Sequence, residues 1–388
     1  MPASSAPTRS PEPAVASNRP SSRAWLRDLD LDELRALQRA QGYPLISILL
    51  RTAPDLLITS SEQARLLALV HTATRRLRLE LNAASARAHT RSLVDMVHGL
   101  AGERTSEGLV LFAGADTCLA YRLASPVEDR VVVDPTFATR DLARSLSQNP
   151  PYRLLMLRSD GARLFMGAAN RLFEVHDGGF PIDERPTVIP FDSSGHRLAA
   201  ERAGKDRQQQ VSTVRRAALA LSAHGSGADL PLVVMAPPGL AAAARREQRW
   251  EPIDVVIGSF EKSSLSRLAH LARPGVETYL AAVRERALSR LDTATRQRRS
   301  ALGIHRVWAA ARRGGIETLV VDESFRYPAW TTLGGQTLVR AVNADLPDVL
   351  DDAVDEIIEM VQKADGRVCF VPAGSLGTDR IAAVLARR

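Results

Sequence analysis

The chain has 388 residues, 45% hydrophobic and 24% charged, with a net charge of +7. That size fits two or three domains, and the balance is that of a folded protein with real cores. The two cysteines, Cys118 and Cys369, sit far apart with no C-x-x-C and no His at ligand spacing. This excludes a zinc site and a disulfide scaffold and suits a reducing cytoplasm.

Residues 1–22 are rich in Pro, Ser and Ala and have no apolar segment, so they read as a disordered tail and not as a secretory signal. In "AWLRDLDLDELRALQRAQG", Leu31, Leu34 and Leu37 recur at helical spacing and Gly42 stops the helix. "YPLISILLRT" predicts a buried strand. "SSEQARLLALVHTATRRLRLEL", capped near Ser61, and "AHTRSLVDMVHGLAG" predict two helices. "GLVLFAGADTCLAYRLA" gives strand, turn, strand, and "DRVVVDPTF" a further strand, completing an α/β unit over 23–145.

A second unit spans 146–301. "YRLLMLRSDGARLFMGAANRLFEVH" alternates strand and turn, with Asp160-Gly161 as a hairpin signal. A long polar loop over 177–210 follows, then the helix "VSTVRRAALALSAHG", the strand "LPLVVMAPP", the helix "GLAAAARREQRW", the strand "DVVIGSF" and a long helix from about 262 to 301. The third unit, 302–388, reads as the helix "IHRVWAAARRGG", the strand "IETLVVDES", a loop, a helix beginning near Leu346, the strand "RVCFVPAGSL" and a final helix "GTDRIAAVLARR". Alternation of helix and strand throughout predicts the α/β fold class.

Chemistry is sparse. No G-x-G-x-x-G, Walker loop, G-x-S-x-G or H-E-x-x-H occurs, and Gly204-Lys205 lacks the remainder of a phosphate loop. His71 and His98 are isolated. Asp351-Asp352 and Asp355-Glu356 read as the solvated face of a helix whose other face holds Val354, Ile357 and Ile358. No catalytic residue, metal ligand or cofactor site is expected. Only three of the cations are lysines, and arginine forks onto phosphates and stacks on bases. The polar loop gathers His196, Arg197, Arg202, Lys205, Arg207, Gln208, Gln209 and Gln210, side chains that meet phosphates and sugars without reading sequence. They are the candidate RNA-binding residues, balanced against a plain solvated loop. Arg75, Arg76 and Arg78 are secondary candidates.

The order of elements resembles the bacterial members of the archaeo-eukaryotic release factor and Pelota superfamily. It rests on "YPLISILLRT" at the head of the first unit and "PYRLLMLRSDGARLFMGAANRLFEV" at the head of the second. In the third it rests on "ETLVVDES", "VDEIIEMVQKADGRVCFVPAGSL" and "GTDRIAAVLAR". The resemblance implies three consecutive α/β domains. The first faces the decoding centre, the middle one reaches toward the peptidyl-transferase centre, and the last binds partner proteins. Bacterial relatives include Balon-type ribosome hibernation factors. The implied function is a non-catalytic ribosome-associated factor, binding in or near the A site in stress, stalling or hibernation. Its partners would be the ribosome through ribosomal RNA, with tRNA and a translational GTPase left open, and no membrane. A peptidyl-tRNA or RNA hydrolase and a degenerate protein-binding scaffold are the alternatives. Release factors carry Gly-Gly-Gln on a middle-domain loop. Here Gly334-Gly335-Gln336 stands in the third unit, where it reads as a turn. The Asn-Ile-Lys-Ser and Tyr-x-Cys-x-x-x-Phe motifs used at stop codons are missing, so codon reading is not expected.

Overall fold

The computed structural model describes residues 26–387 except 55, 116, 170, 184–196, 226–228, 333 and 343–348; of 197–205 it describes the backbone. The tail read over 1–22, and His196 with residues 184–195 of the polar segment, lie outside the described residues. The chain is mixed α/β, in two compact units. Of the described residues, Leu26–Asp28, Gln41–Arg122 and Val127–Pro135 form the first; Leu29–Ala40, Leu123–Pro126 and those from Thr136 onward form the second.

The first unit holds one sheet of β1 (Leu26–Asp28), β2 (Leu45–Arg51), β3 (Gly108–Ala113), β4 (Cys118–Leu123) and β5 (Arg130–Asp134), in the order β1-β4-β3-β2-β5. Helix α1 (Leu31–Arg39) belongs to the second unit. Helices α2 (Ser60–Glu80) and α3 (Ala83–Gly99) cover the first sheet. Successive strand side chains point to opposite faces, so Ile46, Ile48 and Leu50 of β2 meet Leu66, Val70 and Leu77 of α2 and Leu93 and Met96 of α3. Helix α2 starts with a capping box at Thr59, two residues before the expected Ser61. The Thr59 hydroxyl accepts from the Glu62 amide at 3.2 Å, and the Glu62 carboxylate accepts from the Thr59 amide at 2.8 Å.

The second unit begins its chain with α1 and α4 (Arg140–Gln148). A six-stranded sheet follows, built from β6 (Tyr152–Arg158), β7 (Gly161–Ala168), β8 (Arg171–Glu174), β9 (Ile182–Asp183), β10 (Leu232–Ala236) and β11 (Asp254–Ile257). Its order is β11-β10-β6-β7-β8, with β9 also on β7. Helices α5 (Arg197–Ala223) and α6 (Pro238–Ala244) bury one face through Val214, Ala217, Leu221, Leu240 and Ala244. The opposite face, with Leu154, Met156, Phe165 and Met235, receives Leu268, Ala269, Ala272 and Val276 of α7 (Leu265–Arg296).

A four-stranded sheet of β12 (Ser300–Leu302), β13 (Ile316–Asp322), β17 (Arg367–Val371) and β18 (Ile381–Leu385) follows, in the order β12-β18-β13-β17. The second half of α7 packs on it: Ala287 meets Val320 and Val371, and Leu291 and Ala294 meet Ala382 and Val384. Helices α8 (Ile304–Ala311) and α9 (Ala353–Lys363) also pack on this sheet. A small sheet of β14 (Ala329–Thr331), β15 (Leu338–Arg340) and β16 (Val349–Leu350) lies between β13 and α9 in sequence.

The helix expected from near Leu346 begins only at Ala353, because Val349–Leu350 pairs with β14 as a strand. Two larger expectations change here. The terminal "GTDRIAAVLARR" contains a strand and not a helix: β18 pairs antiparallel with both β12 and β13. Its two alanines suggest a helix, but five apolar residues in a row fit a strand buried on both faces. Arg380 just before it has a left-handed backbone, with φ 57°, which no helix start would use. The second concerns the acidic residues around α9. Asp352, Asp355 and Glu359 are buried, because α4 and α1 cover the helix face expected in solvent.

That cover is polar. Asp355 Oδ2 accepts from the Thr139 amide at 2.9 Å, and its Oδ1 lies 3.2 Å from the Thr139 hydroxyl. Glu359 Oε1 is also 3.2 Å from that hydroxyl, and Gln38 Nε2 donates to it at 3.4 Å. A hydroxyl has one proton and two acceptor sites. If Thr139 donates to Asp355, Glu359 must bring its own proton. Burial, reinforced by Glu356, raises the Glu359 carboxyl from 4.5 to about 7 against the pull of Lys363, which agrees with that count. Asp352 Oδ1 accepts from the Tyr327 and Val354 amides, and the 1% exposed Arg140 guanidinium faces its other oxygen at 3.7 Å.

Two outcomes follow from this packing. At Gly167 a Cβ would sit 2.4 Å from the buried Tyr152 ring, so Gly167→Ala overpacks the sheet and lowers stability by about 1–3 kcal/mol; an unchanged urea midpoint would contradict this contact. Because the folded pKa of Glu359 is raised, its contribution is complete below pH 4.5 and is lost as pH rises through about 7. Glu359→Gln, which keeps a neutral donor, should therefore flatten the pH dependence of the thermal midpoint between about 5 and 8. Parallel curves for the two proteins would refute the protonated acid.

Candidate nucleic-acid interface

Most of the candidate RNA-binding residues are on a helix. Residues 197–210, expected in a loop, form the first half of α5, which is continuous over Arg197–Ala223. The stretch "RLAAERAGKDRQQQ" explains the difference. Ala, Leu, Glu, Arg, Lys and Gln are the strongest helix formers, and only Gly204 and Asp206 oppose them. A solvated helix face reads as a loop when no apolar periodicity marks the buried side.

The backbone of α5 thus carries Arg197, Arg202, Lys205 and Arg207 on one continuous helix. Farther along, Val214, Ala217, Ala218 and Leu221 turn one side of the helix into the core, which sends Arg207, Gln208 and Arg215 outward. Gln208 and Arg215 are seven residues apart and share a face. Arg215 and Arg216 are exposed, and the sequence reading missed them; the seven-residue spacing from Gln208 was the available signal. The three glutamines separate in role. Gln208 and Gln209 are exposed. Gln210 packs on the start of α6, where a Cβ on Gly239 would come within 2.6 Å of its amide nitrogen, so this side chain serves helix packing.

Helix α2 of the first unit carries the secondary candidates. Arg75 and Arg78 are exposed. Arg76 is half-buried and donates to the Val131 carbonyl at 3.2 Å, which ties α2 to β5.

Gly334-Gly335-Gln336 lies between β14 and β15. The glycines have φ of 81° and 67°, values that favour glycine, and the Gly335 amide donates to the Thr332 carbonyl at 2.6 Å. Trp308 Nε1 donates to the Gly335 carbonyl at 3.0 Å, and a Cβ on Gly335 would lie 2.3 Å from the Arg312 guanidinium. The tripeptide is a hairpin turn held against α8, with Gln336 in solvent.

Among the described residues no group of three or more His, Cys, Asp or Glu side chains could hold a metal ion, and no helix is long and apolar enough to cross a membrane.

Residues 151–314, which take in the six-stranded sheet with α5, α6, α7 and α8, match the model of the bacterial archaeo-eukaryotic release factor family 3. No curated protein matches the chain. Solved structures similar to it include the archaeal translation termination factor aRF1, 16% identical over 94% of this chain and 100% of that one, with a TM-score of 0.25. An archaeal Pelota, in a model of its ribosome-bound form with ABCE1, is 13% identical over 93% of this chain and 95% of that one, with a TM-score of 0.37. Dom34 of S. cerevisiae, a translation termination-like factor, is 10% identical over 72% of this chain and 74% of that one, with a TM-score of 0.37. No residue role follows from these three. The middle of this chain, residues 151–314, is thus similar to the bacterial archaeo-eukaryotic release factors of family 3, the superfamily that its sequence resembles.

Proposed function

We propose that the protein is a ribosome-associated factor of release-factor form that binds in or near the A site in stress, stalling or hibernation and does no chemistry there. The observation that carries this reading is the family 3 match across the middle of the chain. An arginine-dominated net charge of +7 suits ribosomal RNA as the surface bound. The division into domains of 23–145, 146–301 and 302–388 belongs to this proposal, with the middle one directed at the peptidyl-transferase centre and α5 carrying its phosphate contacts. A translational GTPase fits as a further partner and the cytoplasm as the setting; a solved relative is ribosome-bound with ABCE1, and another interacts with Hbs1. The non-catalytic reading draws support from residues 177–210, which contain no Gly-Gly-Gln.

Sedimentation with ribosomes from growing and starved cells, across a salt series, tests the proposal. Binding should weaken steeply with salt, as phosphate-dominated contacts do. The triple change Arg197→Ala, Lys205→Ala, Arg207→Ala should lower the log–log salt slope by about one for each phosphate no longer bound. Gln336→Ala should change nothing. Failure to sediment with ribosomes from either source refutes ribosome association; hydrolysis of peptidyl-tRNA by the wild-type chain refutes the non-catalytic part.

A further inference from the structure

The second half of α7 concentrates charge that the proposed function leaves unused. Between residues 284 and 299 stand six arginines against two acids, a net +4 within a chain of net +7. Most of the chain's charge excess therefore lies in one sixteen-residue segment. Three of these arginines, Arg286, Arg290 and Arg296, are exposed on the helix, and Arg298 is exposed just beyond it. None of the four has a carboxylate partner among the described residues. Arg286 and Arg296 donate only to helix carbonyls, those of Ala282 at 3.2 Å and Asp292 at 3.4 Å. In the first half of the helix Arg273 is paired, donating to Glu277 at 2.7 Å.

Helical geometry sets the cations on both flanks of one exposed face. At 3.6 residues per turn, Arg286 and Arg290 stand one above the other on one flank, and Arg296 stands about 80° around from Arg286 on the other. Ser289 and Thr293 lie between them, and Ala282 precedes them; all are small and exposed, so a partner can approach the helix closely. Glu285 and Asp292 lie on the Arg296 flank, within about 40° of it. The side with Ala287, Leu291 and Ala294 is buried on the last sheet, and this fixes the direction of the exposed face. Guanidinium groups without carboxylate partners, set on both flanks of a face of small residues, suit a run of anions laid along that face. The arrangement does not suit a protein partner, which would need a large apolar or aromatic anchor near the centre of the contact; Ala282, Ser289 and Thr293 at the centre of this face provide none.

We propose that the solvent face of α7 over Arg286, Arg290 and Arg296, extended by Arg298, is a docking strip for the sugar-phosphate backbone of an RNA helix. The strip binds without reading sequence, since its groups meet phosphates and not base edges. It is separate from the α5 residues, which lie on the helix covering the opposite face of the six-stranded sheet.

Titration of a 16-base-pair RNA duplex of arbitrary sequence into the full chain, from low to physiological salt, tests the strip. The wild type should bind, and Arg286→Gln with Arg290→Gln should weaken binding on the order of tenfold and lower the salt slope by about two. Glutamine keeps helix propensity, and circular dichroism confirms the fold. Arg273→Gln, a charge loss of the same kind on the same helix, should have less effect than either single change in the strip. An unchanged double variant overturns the proposal, as does an equal loss from Arg273→Gln, as does binding to polyglutamate without binding to the duplex. Ribosome sedimentation separates this result from the functional reading: a wild type that binds the duplex through the strip yet ignores ribosomes upholds the strip and refutes ribosome association.

Discussion

Helix α7 gives two sheets a common wall. Its first half lays Leu268, Ala269, Ala272 and Val276 on the six-stranded sheet, and its second half lays Ala287, Leu291 and Ala294 on the four-stranded one. The contact side chains are mostly small, which lets the helix approach closely. At Gly275 the approach is at its limit, since a Cβ would lie 2.6 Å from that of Asp254 at the start of β11. Pro274 precedes this glycine within the helix, at the cost of one backbone hydrogen bond. Arg286, Arg290 and Arg296 stand along the second contact region, so the packing that holds that half of the helix also keeps their spacing regular.

A second constraint is polar. Around α4 and α9 the chain buries Gln38, Thr139, Arg140, Asp141, Asp352, Asp355 and Glu359. Charges taken out of water are tolerated only when paired and hydrogen-bonded. Arg140 meets this condition through the Glu323 carbonyl at 2.7 Å and the carboxylate of Asp352, and Asp141 through Arg144 at 3.1 Å and Arg326 at 3.5 Å. Such a cluster adds less to stability than to definition. Arg140 Nε and Asp352 Oδ2 face each other at 3.7 Å as a charge contact without a hydrogen bond, and a shifted register of α4 on α9 would strand further buried charge.

How much of this was legible in the sequence depended on period. The runs "LISILLR" and "YRLLMLR" read as strands because they are continuous, apolar and short, and Asp160-Gly161 marked its hairpin correctly. The two glycines before Gln336 read as a turn because their backbone freedom has a local use. Errors came where local signals compete with tertiary ones. "IAAVL" has helix-forming alanines, yet it completes a sheet between two strands distant in sequence. The carboxylates near α9 look like any solvated face until α4, more than two hundred residues earlier in the chain, is laid on them. The start of α5 has no apolar stripe to announce it, so its polar residues passed for a loop. The unpaired arginines of α7 were visible as letters, but their lack of partners is a property of the folded chain.

The shared wall also governs how the chain can be divided. A cut near residue 301 follows the boundary that the sequence suggests. It would leave the upstream piece with Ala287, Leu291 and Ala294 uncovered on a helix that has lost half its support, and the downstream piece with Val320, Val371, Ala382 and Val384 open to water. Neither fragment would be a faithful copy of its part of the whole, and each would tend to associate through the bared surface. The two sheets are therefore coupled in unfolding as well as in position, so that loosening one withdraws the support of the other. A transplant of the middle segment would therefore have to carry the sheet on which its last helix rests.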